Sequence, residues 1–194
     1  MIDLEGIAAK LANSLYGDSD MDEIEKAKIE YGFSLTIGLA LTIVLALVPA
    51  AILGTFFSTL MLMMAALVTR LFSGGGHCTS YSRCLFLSLL IFIPSGILAK
   101  YLLAKGSHLL LAILCGFLML TTLVVHFAKG TKAALPTATI YLVALAAGCL
   151  FRRSFLPQIL LPAGMGVFVQ TIMVMRPGER VVEKADILLK RVIK

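Results

Sequence analysis

From Phe33 to Leu71 the chain runs for 39 residues with Arg70 as its sole charge. An apolar run reads as a membrane-crossing helix at about 20 residues per span, so this one is long enough for two spans and too long for one. The reversal is expected at Leu53-Gly54-Thr55, where Gly54 permits a tight turn. Pro49 is expected to kink the first span near its end. The rest of the chain has the same character. Of the 194 residues 59% are hydrophobic and 14% charged. A soluble domain of this size cannot hide so much apolar surface, so lipid is the solvent for most of it.

Four further apolar stretches follow. Cys84 to Leu103 is interrupted by Pro94-Ser95-Gly96, expected to bend it, and is closed by Lys100 and Lys105. Ser107 to Phe127 is followed by the basic loop Lys129-Gly130-Thr131-Lys132. Thr137 to Phe151 is short and is broken by Arg152-Arg153. Leu156 to Met175 carries Pro157 and Pro162 near its start. The expected fold is an all-α polytopic membrane protein with about six transmembrane helices, or four if the last two segments are re-entrant. It forms one membrane domain over residues 1–194, with its transmembrane body at 18–175.

Amphipathic helices are expected at both ends. In residues 1–17, Leu4, Ile7, Ala8, Leu11 and Leu15 share a face, which suits an interfacial helix or one packed on the body. Gly17 ends it. Asp18-Ser19-Asp20 offers N-cap side chains, with Glu23 completing a capping box and Asp22 and Lys26 forming an i,i+4 pair. In residues 176–194, Val181, Ala185, Leu188 and Val192 are joined by Val182, Leu189 and Ile193. Arg180, Lys184, Lys190, Arg191 and Lys194 lie opposite, a pattern that suits an anionic leaflet. The first fifteen residues mix acids with apolar residues and show no small-residue cleavage site, so a signal peptide is not expected.

Charge placement narrows both topology and chemistry. Six spans put both termini on one side, together with Lys10, Lys26, Lys28, Arg70, Arg83, Lys129, Lys132 and every cation from Arg176 onward. The other side receives Lys100, Lys105, Arg152 and Arg153. The positive-inside rule then puts the termini and the segment after Arg70 in the cytoplasm. The net charge of +6 has no basic patch interleaved with aromatics and no Trp, so nucleic acid is not an expected partner. All eleven carboxylates lie before Tyr31 or after Gly178. That removes aspartyl dyads, zinc-binding H-E-x-x-H motifs and membrane-carboxylate proton coupling from the body. Neither a cofactor nor a metal is expected. Cys115 and Cys149 sit inside apolar runs, where a cysteine acts as a small hydrophobe, and no spacing suggests a disulfide framework.

The longest polar interruption of the body is Arg70-Leu71-Phe72-Ser73-Gly74-Gly75-Gly76-His77-Cys78-Thr79-Ser80-Tyr81-Ser82-Arg83-Cys84. Cys84 opens the third span, so helix N-terminal amides, with Arg83 and Arg70, favour its thiolate. It is the candidate nucleophile; Cys78 is the lesser candidate, since adjacent residues of extended chain point away from each other. His77, with an ordinary pKa of about 6.5, is the candidate base. Seven residues on one straight helix would separate the two by about 10.5 Å, so the segment must fold back between them. Gly74, Gly75 and Gly76 permit that and bring backbone amides toward a developing oxyanion. No carboxylate is nearby in sequence, so a Cys–His–Asp triad is not expected; Ser73, Ser80 or a backbone carbonyl is left to orient His77. His126 is expected at the interface and His108 on the opposite side, neither in a catalytic role. A zinc site of His77, Cys78 and Cys84 would lack a fourth ligand.

The run Arg70 to His77, with a Gly-Gly pair before the histidine and Cys84 seven residues after it, resembles the accessory gene regulator B (AgrB) family of membrane cysteine endopeptidases. The resemblance extends to length, amphipathic N-terminus and span pattern. Cys78 departs from it, since a small residue such as Ala is usual there. The resemblance implies a substrate of AgrD type: a short pro-peptide with an amphipathic leader, a central Cys or Ser and an acidic tail. It implies Cys84 and His77 as catalytic residues, supported by Arg70, Ser73, Gly74, Gly75, Gly76 and Arg83. The product would be a cyclic thiolactone or lactone for quorum sensing. Membrane lipids are the other expected partners, and a homodimer is left open. Two other classes compete: a small transporter or channel, and a membrane protein that uses its thiols for redox sensing. A transporter would tolerate loss of Cys84 and His77. A redox sensor would respond to thiol oxidation without processing peptide.

Overall fold

The computed structural model describes residues 6–7, 10–11, 14–15, 22–74, 78–130, 132, 134–151 and 156–191, with the backbone alone at 108, 144–145, 147–151 and 156. Its regular structure is helical: α1 (Glu23–Ile52), α2 (Phe56–Ser73), α3 (Tyr81–Lys105), α4 (His108–Ala128), α5 (Ala134–Phe151), α6 (Leu156–Val174) and α7 (Arg176–Lys190). The long apolar run divides where Gly54 reverses the chain at φ 66°. α1 continues through Pro49 and starts with Asp22 in the N-cap position, without a side-chain capping bond. The capping box expected on Asp20 thus gives way to a start two residues later; residues 18–20 lie outside the described set.

Five helices, α1 to α4 and α6, are long and apolar enough to cross a membrane, and α5 is 18 residues long. Hydrogen bonds at the two ends show that they alternate in direction. At one end the Lys100 ammonium of α3 reaches the Leu53 carbonyl at the α1–α2 turn, 3.3 Å away. At the other, Lys129 after α4 donates to the Val174 carbonyl ending α6 (3.0 Å), and Gln170 of α6 donates to the Gly74 carbonyl ending α2 (2.6 Å). The outer surface is studded with bare apolar side chains, Ile52 being 83% and Leu135 75% exposed. Water would not tolerate such a surface and lipid would, so the bundle is a multi-pass membrane protein. Ile7, Leu11 and Leu15, in helical backbone, are exposed too.

Lipid gives apolar helices little reason to associate, so close packing and interhelical polar contacts must hold them. α2 and α6 form the central pair, and Gly166 sets their approach: a Cβ there would strike the Leu62 carbonyl. Ala65, Ala163 and Val167 fill the seam beside it, with Tyr141 of α5 closing one side. Gly96 of α3 does the same against Thr59 of α2, so the expected bend at Pro94-Ser95-Gly96 lies within a continuous helix whose glycine admits a neighbour. Buried threonines meet their polar obligation locally: Thr69, Thr122 and Thr171 each donate to the carbonyl four residues back. Between helices, the Thr122 and Tyr141 hydroxyls bond at 3.0 Å.

α7 departs from expectation. Its inward stripe is Gly178, Val182 and Asp186, flanked by the half-buried Ala185 and Leu189, whereas Val181 and Leu188 are exposed. The cause is Gly178: a Cβ there would collide with the Ile172 carbonyl. With none, α7 begins hard against the end of α6, which sets the stripe it turns inward. The terminal helix is therefore docked on the protein along one stripe and presents a second apolar stripe outward. Gly166→Ala should force α2 and α6 apart and lower stability by about 1–3 kcal/mol, read as a reduced unfolding temperature of the protein in detergent.

Candidate functional site

The site lies where α2 ends and α3 begins. α2 stops at Gly74, whose φ of 68° and ψ of −147° belong to a region open only to glycine. Its N–H bonds back to the Arg70 carbonyl (2.9 Å), so this amide is already engaged and does not face an oxyanion. The Gly74 carbonyl accepts from Gln170 and from the Ser73 hydroxyl, which itself accepts from Gln170 at 3.3 Å. Beyond Cys78 the chain bends at Thr79-Ser80, and α3 starts at Tyr81. Cys84 is the fourth residue of that helix, and its N–H bonds to the Ser80 carbonyl (3.1 Å). Tyr81 anchors the start of α3 on α1, donating to the Gly38 carbonyl and lying 3.0 Å from the Thr42 hydroxyl. The break between α2 and α3 means that residues 70 and 84 do not belong to one rigid rod. His77, Gly75 and Gly76 lie outside the described residues.

Cys84 opens onto a cavity of about 360 Å³ among α1, α2, α3 and α6. Leu60, Met63, Met64, Leu67 and Phe92 make its apolar wall; Arg70, Cys78, Tyr81, Cys84 and Gln170 supply polar groups. A chamber greasy along most of its wall and polar at one end suits an amphipathic guest. Both thiols of the stretch line it. Burial pushes the Cys78 thiol up to about 11, with Cys84 and Asp186 adding to the rise and Arg83 opposing it. Cys78 is therefore protonated at neutral pH and a poor nucleophile there.

The structure supplies a carboxylate where the sequence places none. Asp186 of α7 accepts from the Thr79 hydroxyl at Oδ2 (2.8 Å), and its Oδ1 lies 3.1 Å from Arg83 Nε. Arg83 closes the ring by donating from Nη2 to the Thr79 hydroxyl (2.7 Å). Arg83 and Asp186 are both nearly inaccessible. The Thr79 hydroxyl first, and then the Arg83 charge, hold the Asp186 carboxyl below its ordinary range. Two expectations are corrected. A carboxylate does reach this stretch, from more than a hundred residues away. And Arg83 is not a lone cation beside Cys84, because its charge is matched by Asp186.

The other sequence candidates fall outside the cavity. His126 is buried between α4 and α6, its Nε2 3.0 Å from the Thr171 hydroxyl, rather than lying at the interface. Cys115 packs among apolar core residues. The side chains of His108 and Cys149 lie outside the described set. Gln170 and Asp186 were not among the candidates, yet each carried a signal. Gln170 is an amide deep in an apolar span, where it needs a buried partner. Asp186 falls four residues after Val182 and eight after Gly178, on the stripe that docks.

An all-helical membrane bundle that opens a cysteine from the first turn of one span into a cavity between spans is the class defined by this geometry. The chain belongs to the accessory gene regulator B (AgrB) family, whose sequence model matches residues 7–137. It is similar to a protein of Clostridium perfringens (strain 13 / Type A) described as AgrB-like, 27% identical over 97 residues. That similarity covers 50% of this chain and 45% of the relative, so the chain spans less than half of that protein's length. No solved structure matches.

Because its neutral form is the favoured one, Cys78 should ionise only as pH rises toward 11. In a Cys84→Ser protein, which keeps the burial but loses the neighbouring thiol, its alkylation rate should still be climbing at about pH 10, where an ordinary thiol with a pKa of about 8.5 has levelled off. A plateau before about pH 10 would contradict the burial described.

Proposed function

We propose that this protein is a membrane cysteine endopeptidase that matures a quorum-sensing pro-peptide of AgrD type. The observation that carries the reading is Cys84 opening into a largely apolar cavity, within the part of the chain that matches the AgrB family. The Cys84 thiolate attacks the carbonyl carbon joining the precursor's central segment to its tail. The C–N bond breaks, the tail leaves as an amine carrying a proton from His77, and the acyl group stays on sulfur as a thioester. A Cys or Ser of the precursor then attacks that thioester. Its proton passes to His77, Cys84 departs as thiolate, and a thiolactone or lactone ring closes.

The cavity suits this order of events. A thioester exposed to water would hydrolyse before the ring closed, and apolar walls keep water dilute around it. Arg70, lining the same cavity, is the group proposed to position the peptide or recognise a carboxylate. The positive-inside distribution puts the site at the cytoplasmic face of a bacterial cell membrane. There the precursor's amphipathic leader would lie on the same leaflet as the chain's own terminal helices.

Co-expression with a precursor, followed by mass spectrometry of precursor, ring and enzyme, tests the reading. Cys84→Ala should abolish cleavage and Cys84→Ser should form no thioester, while Cys78→Ala should leave cleavage largely intact. His77→Ala should slow cleavage by about 10²–10⁴-fold, the usual worth of a general base. Arg70→Ala should impair it. Acyl mass trapped on Cys78, or processing that survives Cys84→Ala, would overturn the assignment.

A further inference from the structure

We propose that the terminal helix α7 is a clamp on the nucleophile, with Asp186 a positioning residue for Cys84 through Arg83 and Thr79. The inference rests on the reading of Cys84 as the nucleophile, and it concerns residues beyond the segment that matches the family. Thr79 and Arg83 bracket the last turn of chain before Cys84. Asp186 reaches both: its Oδ2 accepts from the Thr79 hydroxyl at 2.8 Å, and its Oδ1 faces Arg83 Nε at 3.1 Å. With the Arg83 Nη2 to Thr79 bond of 2.7 Å the three side chains form a closed ring, in which Arg83 and Asp186 are buried and Thr79 is exposed.

Such a ring fixes geometry for three reasons. The Thr79 hydroxyl bonds Asp186 Oδ2 and Arg83 Nη2 at once, so two charge-assisted hydrogen bonds, with the ion pair beside them, restrict how α7 meets α3. Arg83 and Asp186 are themselves buried, so a charge whose partner is removed is left largely desolvated. And the ring ties the bend at Thr79 to the first turn of α3, the two pieces of backbone that decide where the Cys84 side chain stands in the cavity. Arg83 Nε and Asp186 Oδ1 face each other as an ion pair and form no hydrogen bond among the described residues, so charge attraction is what holds these two atoms together. Gly178 enters the same design: it lets α7 start close enough to α6 for Asp186 to arrive in register.

The clamp separates position from substrate binding. Asp186 does not line the cavity, whereas Arg70 and Gln170 do. Losing Asp186 should therefore slow acylation of Cys84 at saturating precursor while KM stays unchanged. It should also loosen the bend and admit reagents to Cys78.

The test uses the full-length protein in lipid vesicles. Thioester formation on Cys84 is followed by mass in a single turnover. Maleimide labelling of Cys78 is followed separately in a Cys84→Ser background. Asp186→Asn is expected to cut acylation at saturation by about 10²-fold, the scale of an ångström-sized misplacement, with KM unchanged and Cys78 labelled faster. Asp186→Glu should retain part of the rate. Exchanging the charges in Arg83→Asp/Asp186→Arg should recover acylation lost by either single variant and return Cys78 to slow labelling. If Asp186→Asn does not accumulate in membranes, Asp186→Glu and the charge exchange carry the comparison.

Wild-type acylation in Asp186→Asn would overturn the clamp, as would a charge exchange no better than its single variants with Cys78 labelling unmoved. Absence of any thioester on the unmodified Cys84 would instead overturn the peptidase reading, and the Cys78 labelling rates would still decide whether α7 clamps the bend.

Discussion

The backbone contact between α2 and α6 is the constraint on which this structure depends. Gly166 leaves no side chain between its helix and the Leu62 carbonyl, and Ala65 and Ala163 keep the seam narrow. In lipid this matters more than it would in water, because apolar surface alone gives no preference for one helix pairing over another. Once the pair is seated, the register of α6 on α2 follows. Gln170, one turn after Gly166, then meets the carbonyl of Gly74 where α2 runs out. The same seam that holds the bundle together thus ties down one end of the polar stretch, and it does so with a neutral amide that costs little to bury once both its partners are present.

The other end is tied down by charge. A buried arginine and aspartate at the rim of the bundle match each other's charge at 3.1 Å, and a threonine hydroxyl bonded to both completes the ring. Between these two fixtures the protein has an unusual freedom. It can carry glycines in succession and polar side chains where regular helix would otherwise continue, because the flanking backbone is held by helices that are not its sequence neighbours. A thiol with the role proposed for Cys84 would benefit from that arrangement. Cys84 belongs to regular helix, which fixes its direction, yet it faces a cavity whose polar end is shaped by loop.

Much of this was legible in the residues. The length of the apolar runs, the reversal at Gly54 and the break of helix around the triple glycine followed from hydropathy and from the φ freedom of glycine. The sequence placed Cys84 at the start of a span, and the structure has it in the first turn of α3, lining the cavity. What escaped was everything that depends on helix rotation. Whether α7 turns Val181 or Asp186 inward is a matter of about 140° of rotation about its own axis. Counting apolar residues named Val182, Ala185 and Leu189, which do turn inward, together with Val181 and Leu188, which do not; the close approach at Gly178 fixes the rotation. For the same reason Asp186 was invisible as a neighbour of Arg83: proximity along the chain excluded it, and only the docking angle brings it back.

The reach of the family match has a physical counterpart. It ends at residue 137, and it contains Arg70, His77, Cys78 and Cys84, the groups in or beside the proposed chemistry. Gln170 and Asp186 lie beyond it, and the two act in different currencies. Gln170 grips a backbone carbonyl and a serine hydroxyl, acceptors that any donor of the right length could satisfy. Asp186 grips a guanidinium, which demands a carboxylate and a particular angle. A helix that buttresses through backbone can change its side chains without disturbing what it supports. One that buttresses through a charge pair cannot change one member alone, since the survivor would be left buried and unmatched. The chemistry of the stretch is therefore written in its own residues, whereas its rigidity is shared with whichever helix supplies the matching charge. In this chain that helix is the last, and Arg83 is where the two meet.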